Sequence, residues 1–211
     1  MKQLLEEQFS KAFDANGHIH PVKERIINGD ISFRDEKACS VCKHFFYSQC
    51  GRQTFLIHTT TDIHSIDIEL YFNSFHQLKG ERCDILFYDQ NKCVLMDMYC
   101  GMSEYLNPHL MKGEIVAGKK EKVRIQISET IERLYSVPAI ATFLDRLPIK
   151  EGVFGYRAKD EHLFLNTPKV ISSTVQMFLR WSAMQANRRL AAPMEHGFRF
   201  LMNSYPHIYQ W

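Results

Sequence analysis

A strong charge of either sign is what this sequence most lacks. Lys and Arg number 26 against 24 Asp and Glu, a net charge of +2. No global field therefore selects a polyanion, and nucleic-acid binding would need a local basic patch. Long apolar runs are missing too, and no stretch reaches the length needed to span a bilayer. The start, Met1-Lys2-Gln3-Leu4-Leu5-Glu6-Glu7, has no apolar h-region of a secretory signal. These absences predict a cytoplasmic protein with no membrane partner. There is no G-x-x-x-x-G-K-[ST] phosphate loop, so ATP hydrolysis is unsupported. The ten histidines show no H-E-x-x-H spacing. No repeat, low-complexity tract or long linker divides the chain.

What is present is ordinary for a globular protein: 211 residues, 45% hydrophobic and 24% charged, enough for one substantial core. The six cysteines are Cys39, Cys42, Cys50, Cys83, Cys93 and Cys100. A core of this size needs no disulfide framework. Cys83 and Cys93 stand inside apolar runs, where a free thiol acts as a small hydrophobe. Cys39-x-x-Cys42 with Cys50 and His44 has the beginnings of a Zn²⁺ site, but a second Cys-x-x-Cys is missing, and buried free thiols are the preferred reading.

Periodicity predicts a helix over 2–14, with Leu4, Leu5, Phe9 and Phe13 near one side. Residues 15–30, with Asn16-Gly17, Pro21 and Asn28-Gly29, read as loop and turns. Strands are expected at 44–48, 54–60 and 64–72; in the last, Ile66, Ile68 and Leu70 share a face. Segments 83–88 and 93–99 read as a hairpin of strands covered on both sides. Residues 120–135 form a helix with Val123, Ile127, Ile131 and Leu134 as its core stripe. A second helix follows over 137–146, capped by Ser136. Short strands at 153–156 and 162–165, a long helix over 171–189 and a strand at 198–202 complete the chain. The aromatic tail Tyr205–Trp211 is expected to dock on the body or to serve as a partner's handle.

The hairpin yields a geometric expectation. A loop of Gln90-Asn91, or of Asp89–Lys92, sets the same register and puts Asp84 opposite Asp97 on one sheet face. Side chains so placed have Cβ atoms roughly 4.5–5.5 Å apart. A carboxylate pair flanked by Cys83, Ile85, Met96 and Met98 must bind a cation, share a proton or be met by basic groups. Mg²⁺ suits such a pair, since it takes one or two carboxylates plus phosphate oxygens. The alternative is a structural pair bonded to Arg or backbone amides.

The stretch Cys83-Asp84-Ile85-Leu86-Phe87-Tyr88, followed by Val94-Leu95-Met96-Asp97-Met98-Tyr99, resembles the PD-(D/E)XK nuclease superfamily. The resemblance spans roughly residues 2–135 by order of elements. It implies a mixed central sheet flanked by helices: a restriction-endonuclease-like core over 2–146 with a C-terminal helix and strand extension over 147–211. Asp84 matches the first motif acid and Asp97 the second. Tyr99 stands where the family has lysine, and its neutral phenol supplies no positive charge. The family can move the basic group to the next helix, where Lys119, Lys120 and Lys122 lie and where Gln126 fits the family-like Gln. Glu6 or Glu7 would stand for the acid of the first helix. The resemblance thus implies Mg²⁺ at Asp84 and Asp97 and a nucleic-acid substrate, in a bacterial defence or mobile-element setting. The departure at Tyr99 leaves open a non-enzymatic accessory or immunity-type subunit that binds a protein partner. No sequence feature specifies an oligomeric state.

Two other readings carry less. Cys100 before Gly101 has the look of a nucleophile at a turn, but no base is assignable. The run Lys119-Lys120-Glu121-Lys122-Val123-Arg124 is the densest basic stretch; on its own it reads as a solvated face.

Overall fold

The computed structural model describes residues 1–34, 54–111, 114–159 and 194–211. The Cys39, Cys42, His44 and Cys50 group, the strands expected at 44–48 and 162–165, and the helix expected over 171–189 lie outside the described residues. The fold is mixed α/β, with a mixed seven-stranded sheet flanked by helices.

Helix α1 (2–13) opens the chain; α-helical Lys2–Leu4 and Ser10–Phe13 flank a π-helical stretch, Leu5–Phe9. Then come β1 (Glu24–Phe33) and β2 (Phe55–Asp67), the short helix α2 (Ile68–Asn73), β3 (Ile85–Tyr88) and β4 (Lys92–Met102). A two-stranded ribbon, β5 (His109–Met111) and β6 (Glu114–Val116), precedes helices α3 (Lys119–Tyr135) and α4 (Pro138–Asp145). Strands β7 (Ile149–Lys159), β8 (Arg199–Ser204) and β9 (Ile208–Gln210) close the fold. The sheet order is β1-β2-β3-β4-β7-β8, with β9 paired to β2. Strands β1 to β4 pair antiparallel with one another in succession, β9 lies parallel to β2, and β7 joins β4 in parallel along its whole length after the α3–α4 crossover.

Three local expectations are corrected. Residues 24–33 form an edge strand rather than turns. Asn28-Gly29 sits at a register shift, where Thr60, Thr61 and Asp62 of β2 face the single Asn28. Gly29 takes φ +82, which glycine reaches at no steric cost, and Asn28 Nδ2 donates to Asp62 Oδ1 at 2.7 Å. The expected strand over 64–72 stops at Asp67, whose side chain accepts from the Leu70 N–H at 2.8 Å and caps α2. Ile68, Tyr71 and Phe72 are then buried at helical rather than strand spacing. Val137, not Ser136, is the N-cap of α4, with Pro138 at its start; the Ser136 hydroxyl instead donates to the Arg133 carbonyl.

The first half of β2 pairs with β9 and the second half with β3. The sheet therefore wraps round until β8, continuing across the cis Tyr205–Pro206 bond, delivers β9 back to β2. Inside the wrap lies one core: Phe33, Phe55, Ile57, Ile63, Phe87, Val94, Met96 and Val153 are among its members. The opposite face carries a second core beneath α1, α2, α3 and α4, with Leu86, Leu95, Phe154 and the α3 stripe Val123, Ile127, Ile131 and Leu134. This is why the hairpin strands are apolar on both faces.

Cys83, Cys93 and Cys100 are free thiols in this interior. Burial pushes the Cys93 thiol up from 9.0 to about 12, with Lys150 pulling the other way. Below pH 9 both folded and unfolded chains keep this proton. As pH rises, the unfolded chain loses it first, so stability falls. The expected loss from this thiol is about 2 kcal/mol between pH 9 and 11. Denaturant unfolding across that range should show the slope, and a Cys93→Ala variant should lack that part of it. Equal slopes in the two proteins would mean that Cys93 is open to water.

Candidate carboxylate site

The hairpin register is the expected one: Ile85 pairs with Met96, Leu86 with Leu95, Phe87 with Val94 and Tyr88 with Cys93. The ladder ends there. Asp84 lies one residue before β3, and its N–H donates to the Met96 carbonyl at 2.9 Å. Its carboxylate reaches across to β4, where Oδ2 accepts the Met98 N–H at 2.7 Å. Asp84 therefore grips the peptide unit that follows Asp97. Asp97 is 1% exposed. By strand alternation it shares the α3 face with Leu95 and Tyr99, while Met96 and Met98 point into the wrapped core. Both carboxylates act on Cys83: burial is the main reason its thiol stands well above its ordinary value, and Asp97 and Asp84 add to it.

Helix α3 holds the approach to Asp84. The Thr130 hydroxyl accepts the Cys83 N–H at 3.1 Å and donates to the Gln126 carbonyl at 2.8 Å. Gln126 Nε2 donates to the Arg82 carbonyl at 3.1 Å. The Glu129 carboxylate accepts the Glu81 N–H, and Arg133 donates to the carbonyls of Glu81 and Lys79. Gly80, at φ +108, lies so close to Arg133 and Glu129 that a Cβ would meet their side chains at 2.5 and 2.8 Å. The clamp fixes the backbone of 79–83 against the helix and so the place of Asp84. Glu129, Thr130 and Arg133 were not legible as site residues, though they share a helix face with Gln126 at one- and two-turn spacing.

The basic candidates divide. Lys119, the first residue of α3, sets its Nζ 5.8 Å from the centre of the Tyr99 ring. A cation thus stands beside the Tyr99 ring. Burial holds the Lys120 ammonium below its ordinary value. Lys122 turns to Glu81 at 3.5 Å. Gln126 is buried, and its Oε1 accepts no hydrogen bond. Arg82 Nη1 is likewise buried without an acceptor; no spacing pattern marked it out in the sequence.

Other candidates lie elsewhere. Glu6 accepts the Val22 N–H and Glu7 accepts from Gln3, so the contacts of both are structural. Cys100 is buried on the β4 face opposite Asp97 and Tyr99. The aromatic tail docks on the body: the Trp211 indole N–H donates to Asp89 at 2.7 Å and β9 pairs with β2. Among the described residues no group of three or more His, Cys, Asp or Glu is placed to hold a metal ion, and no helix is long and apolar enough to cross a membrane. Compared with known proteins, the chain matches no family model, no curated sequence and no solved structure.

Proposed function

We propose that this chain is a nuclease-like protein that acts on or binds nucleic acid through Asp84 and Asp97, on a restriction-endonuclease-like core. One observation carries the reading: the Asp84 carboxylate is bonded to the amide that follows buried Asp97, beneath a helix that begins Lys119-Lys120. The order of elements supports it as well. A first helix leads to antiparallel strands bearing the two acids, then to a helix and a strand parallel to the second acidic strand.

The donor chemistry fits Mg²⁺, which prefers hard carboxylate oxygens and completes its shell with water and substrate phosphate. Among the described residues no third His, Cys, Asp or Glu joins the two carboxylates, so an ion there would complete its shell with water and substrate. When bound, such an ion would neutralise phosphodiester charge and lower the pKa of an attacking water. The chain's own groups do the rest. Asp84 and Asp97 would hold the ion, the α3 clamp keeps Asp84 in place, and Lys119 brings positive charge to the Tyr99 position. Gln126, desolvated on the same helix, offers an amide to water or backbone. The phenol of Tyr99 adds a neutral hydrogen-bonding group where the family has a cation.

The substitution at Tyr99 and the Lys122–Glu81 ion pair favour a second reading: a non-enzymatic subunit that keeps the scaffold and binds a protein partner. Incubation with plasmid DNA, single-stranded DNA and RNA, in Mg²⁺ or Mn²⁺ and with an EDTA control, separates the two. Cleavage that EDTA abolishes is the expected result. No cleavage in either metal, together with co-purification of a neighbour-encoded protein, would overturn the first reading in favour of the second.

A further inference from the structure

Strand β1 carries an Asn-Gly pair at the point where its ladder breaks. Asn28 falls between Ile27, opposite Ile63, and Gly29, opposite Thr59, and has no ladder partner of its own among the described residues. A residue left out in this way disrupts the ladder locally, and β1 is the edge of the sheet. Asn28 and the facing Thr60, Thr61 and Asp62 are exposed. Gly29, at φ +82, has no Cβ to shield its amide nitrogen. Apart from its chain neighbours, no atom lies within 4 Å of the place that a Cβ would take. Asn28 Nδ2 donates to Asp62 Oδ1 at 2.7 Å, across to β2.

We infer that Asn28-Gly29 is a site of spontaneous covalent modification that loosens β1 from β2. Asparagine is a thermolabile residue, and its side chain reaches neighbouring backbone groups. The Gly29 nitrogen attacks Asn28 Cγ. The new C–N bond closes a succinimide, the Cγ–Nδ2 bond breaks, and Nδ2 leaves as ammonia with the proton that Gly29 gives up. Water then opens the ring at either carbonyl. One opening gives aspartate; the other gives isoaspartate, in which the main chain runs through the side-chain carbons. No oxidant or cofactor is consumed. Either product turns a carboxylate on Asp62 where an amide donated before, and like charges facing each other across a strand pair are destabilising. Asn16-Gly17 is the other Asn-Gly pair. There the attacking nitrogen is engaged, since the Gly17 N–H is donated to the Asp14 carbonyl at 3.0 Å. The inference does not depend on the nuclease-like reading.

The full chain is incubated at mildly alkaline pH beside an unfolded synthetic peptide of Glu24–Phe33. Peptide mapping by mass spectrometry follows loss of the Asn28 amide. Isoaspartyl-specific O-methylation with labelled S-adenosylmethionine follows the isoaspartate. Asn28 in the chain should react within about tenfold of the peptide's rate, because an exposed edge position outside the ladder opens at little free-energy cost. Slower reaction than that, or modification confined to Asn16, overturns the site. An Asn28→Asp variant stands for the hydrolysed product and should melt below the wild type. Asn28→Asp/Asp62→Asn exchanges the partners, restores one donor and one acceptor, and should melt with the wild type. The modified and unmodified fractions of the aged wild type give the first comparison without a variant. A single variant as stable as the wild type, or a double variant no more stable than the single one, overturns the loosening of β1.

Discussion

An Asp97→Asn variant should lose metal-dependent cleavage by a factor on the order of 10³, about 4 kcal/mol of transition-state stabilisation, while keeping its fold. The two halves of this expectation come from one position. Asp97 is 1% exposed on a central strand, with the Asp84 carboxylate bonded to the next amide. A carboxylate kept out of water needs hydrogen bonds or positive charge around it. Asparagine has nearly the same shape and removes the charge. The melting temperature in EDTA should therefore stay close to that of the wild type. Added Mg²⁺ should raise it in the wild type, because an ion bound only by the folded chain stabilises that state, and should do so far less in the variant. Loss of folding in the variant would make Asp97 a structural residue. An Mg²⁺ response equal to that of the wild type would place the ion elsewhere.

The hairpin could be read from sequence because its short loop fixes the register whichever of the two loop lengths is taken. Helix α3 was legible because Val123, Ile127, Ile131 and Leu134 leave one way to bury the stripe. Strand β1 was hidden by Asn28-Gly29, a pair that signals a turn and here accommodates a register shift. Helix α2 was hidden by Ile66, Ile68 and Leu70, an alternation that fits a strand. The contrary signal was Asp67, a capping residue three positions before Leu70. At the site, the sequence placed two acids near each other but not the groups around them. The contact of Lys119 with Tyr99, and the grip of Thr130 and Arg133 on 79–83, depend on how α3 lies across β4. No local periodicity encodes that crossing.

Lys92→Ala should cost about 3 kcal/mol of folding stability, in the range seen when one partner of a buried ion pair is removed. Lys92 Nζ lies 3.1 Å from Glu151 Oε2, with both side chains largely out of water, at 11% and 14% exposure. The Tyr209 hydroxyl donates to the same Glu151 oxygen, and burial together with this carboxylate drives the phenol far above its ordinary value. The Lys92 ammonium also sits 4.7 Å from the centre of the Tyr209 ring and 5.1 Å from that of Trp211. Asp89 completes the arrangement. One of its oxygens accepts the N–H groups of Asn91 and Lys92 in the hairpin turn, and the other takes the Trp211 indole. One cation thus ties β4, β7 and the C-terminal strand together on the core face opposite the carboxylate site. Without it, buried Glu151 keeps the Tyr209 phenol but loses its countercharge, and two aromatic rings lose the cation beside them. A Lys92→Met/Glu151→Gln double variant removes both charges and keeps the volume, so most of the loss should return. Denaturant unfolding of the two single variants and the double variant measures the coupling directly. Additive losses would show that the pair does not hold the C-terminal strand. Cleavage and DNA binding by the folded double variant should match the wild type, because this clasp and the carboxylates face opposite sides of the sheet.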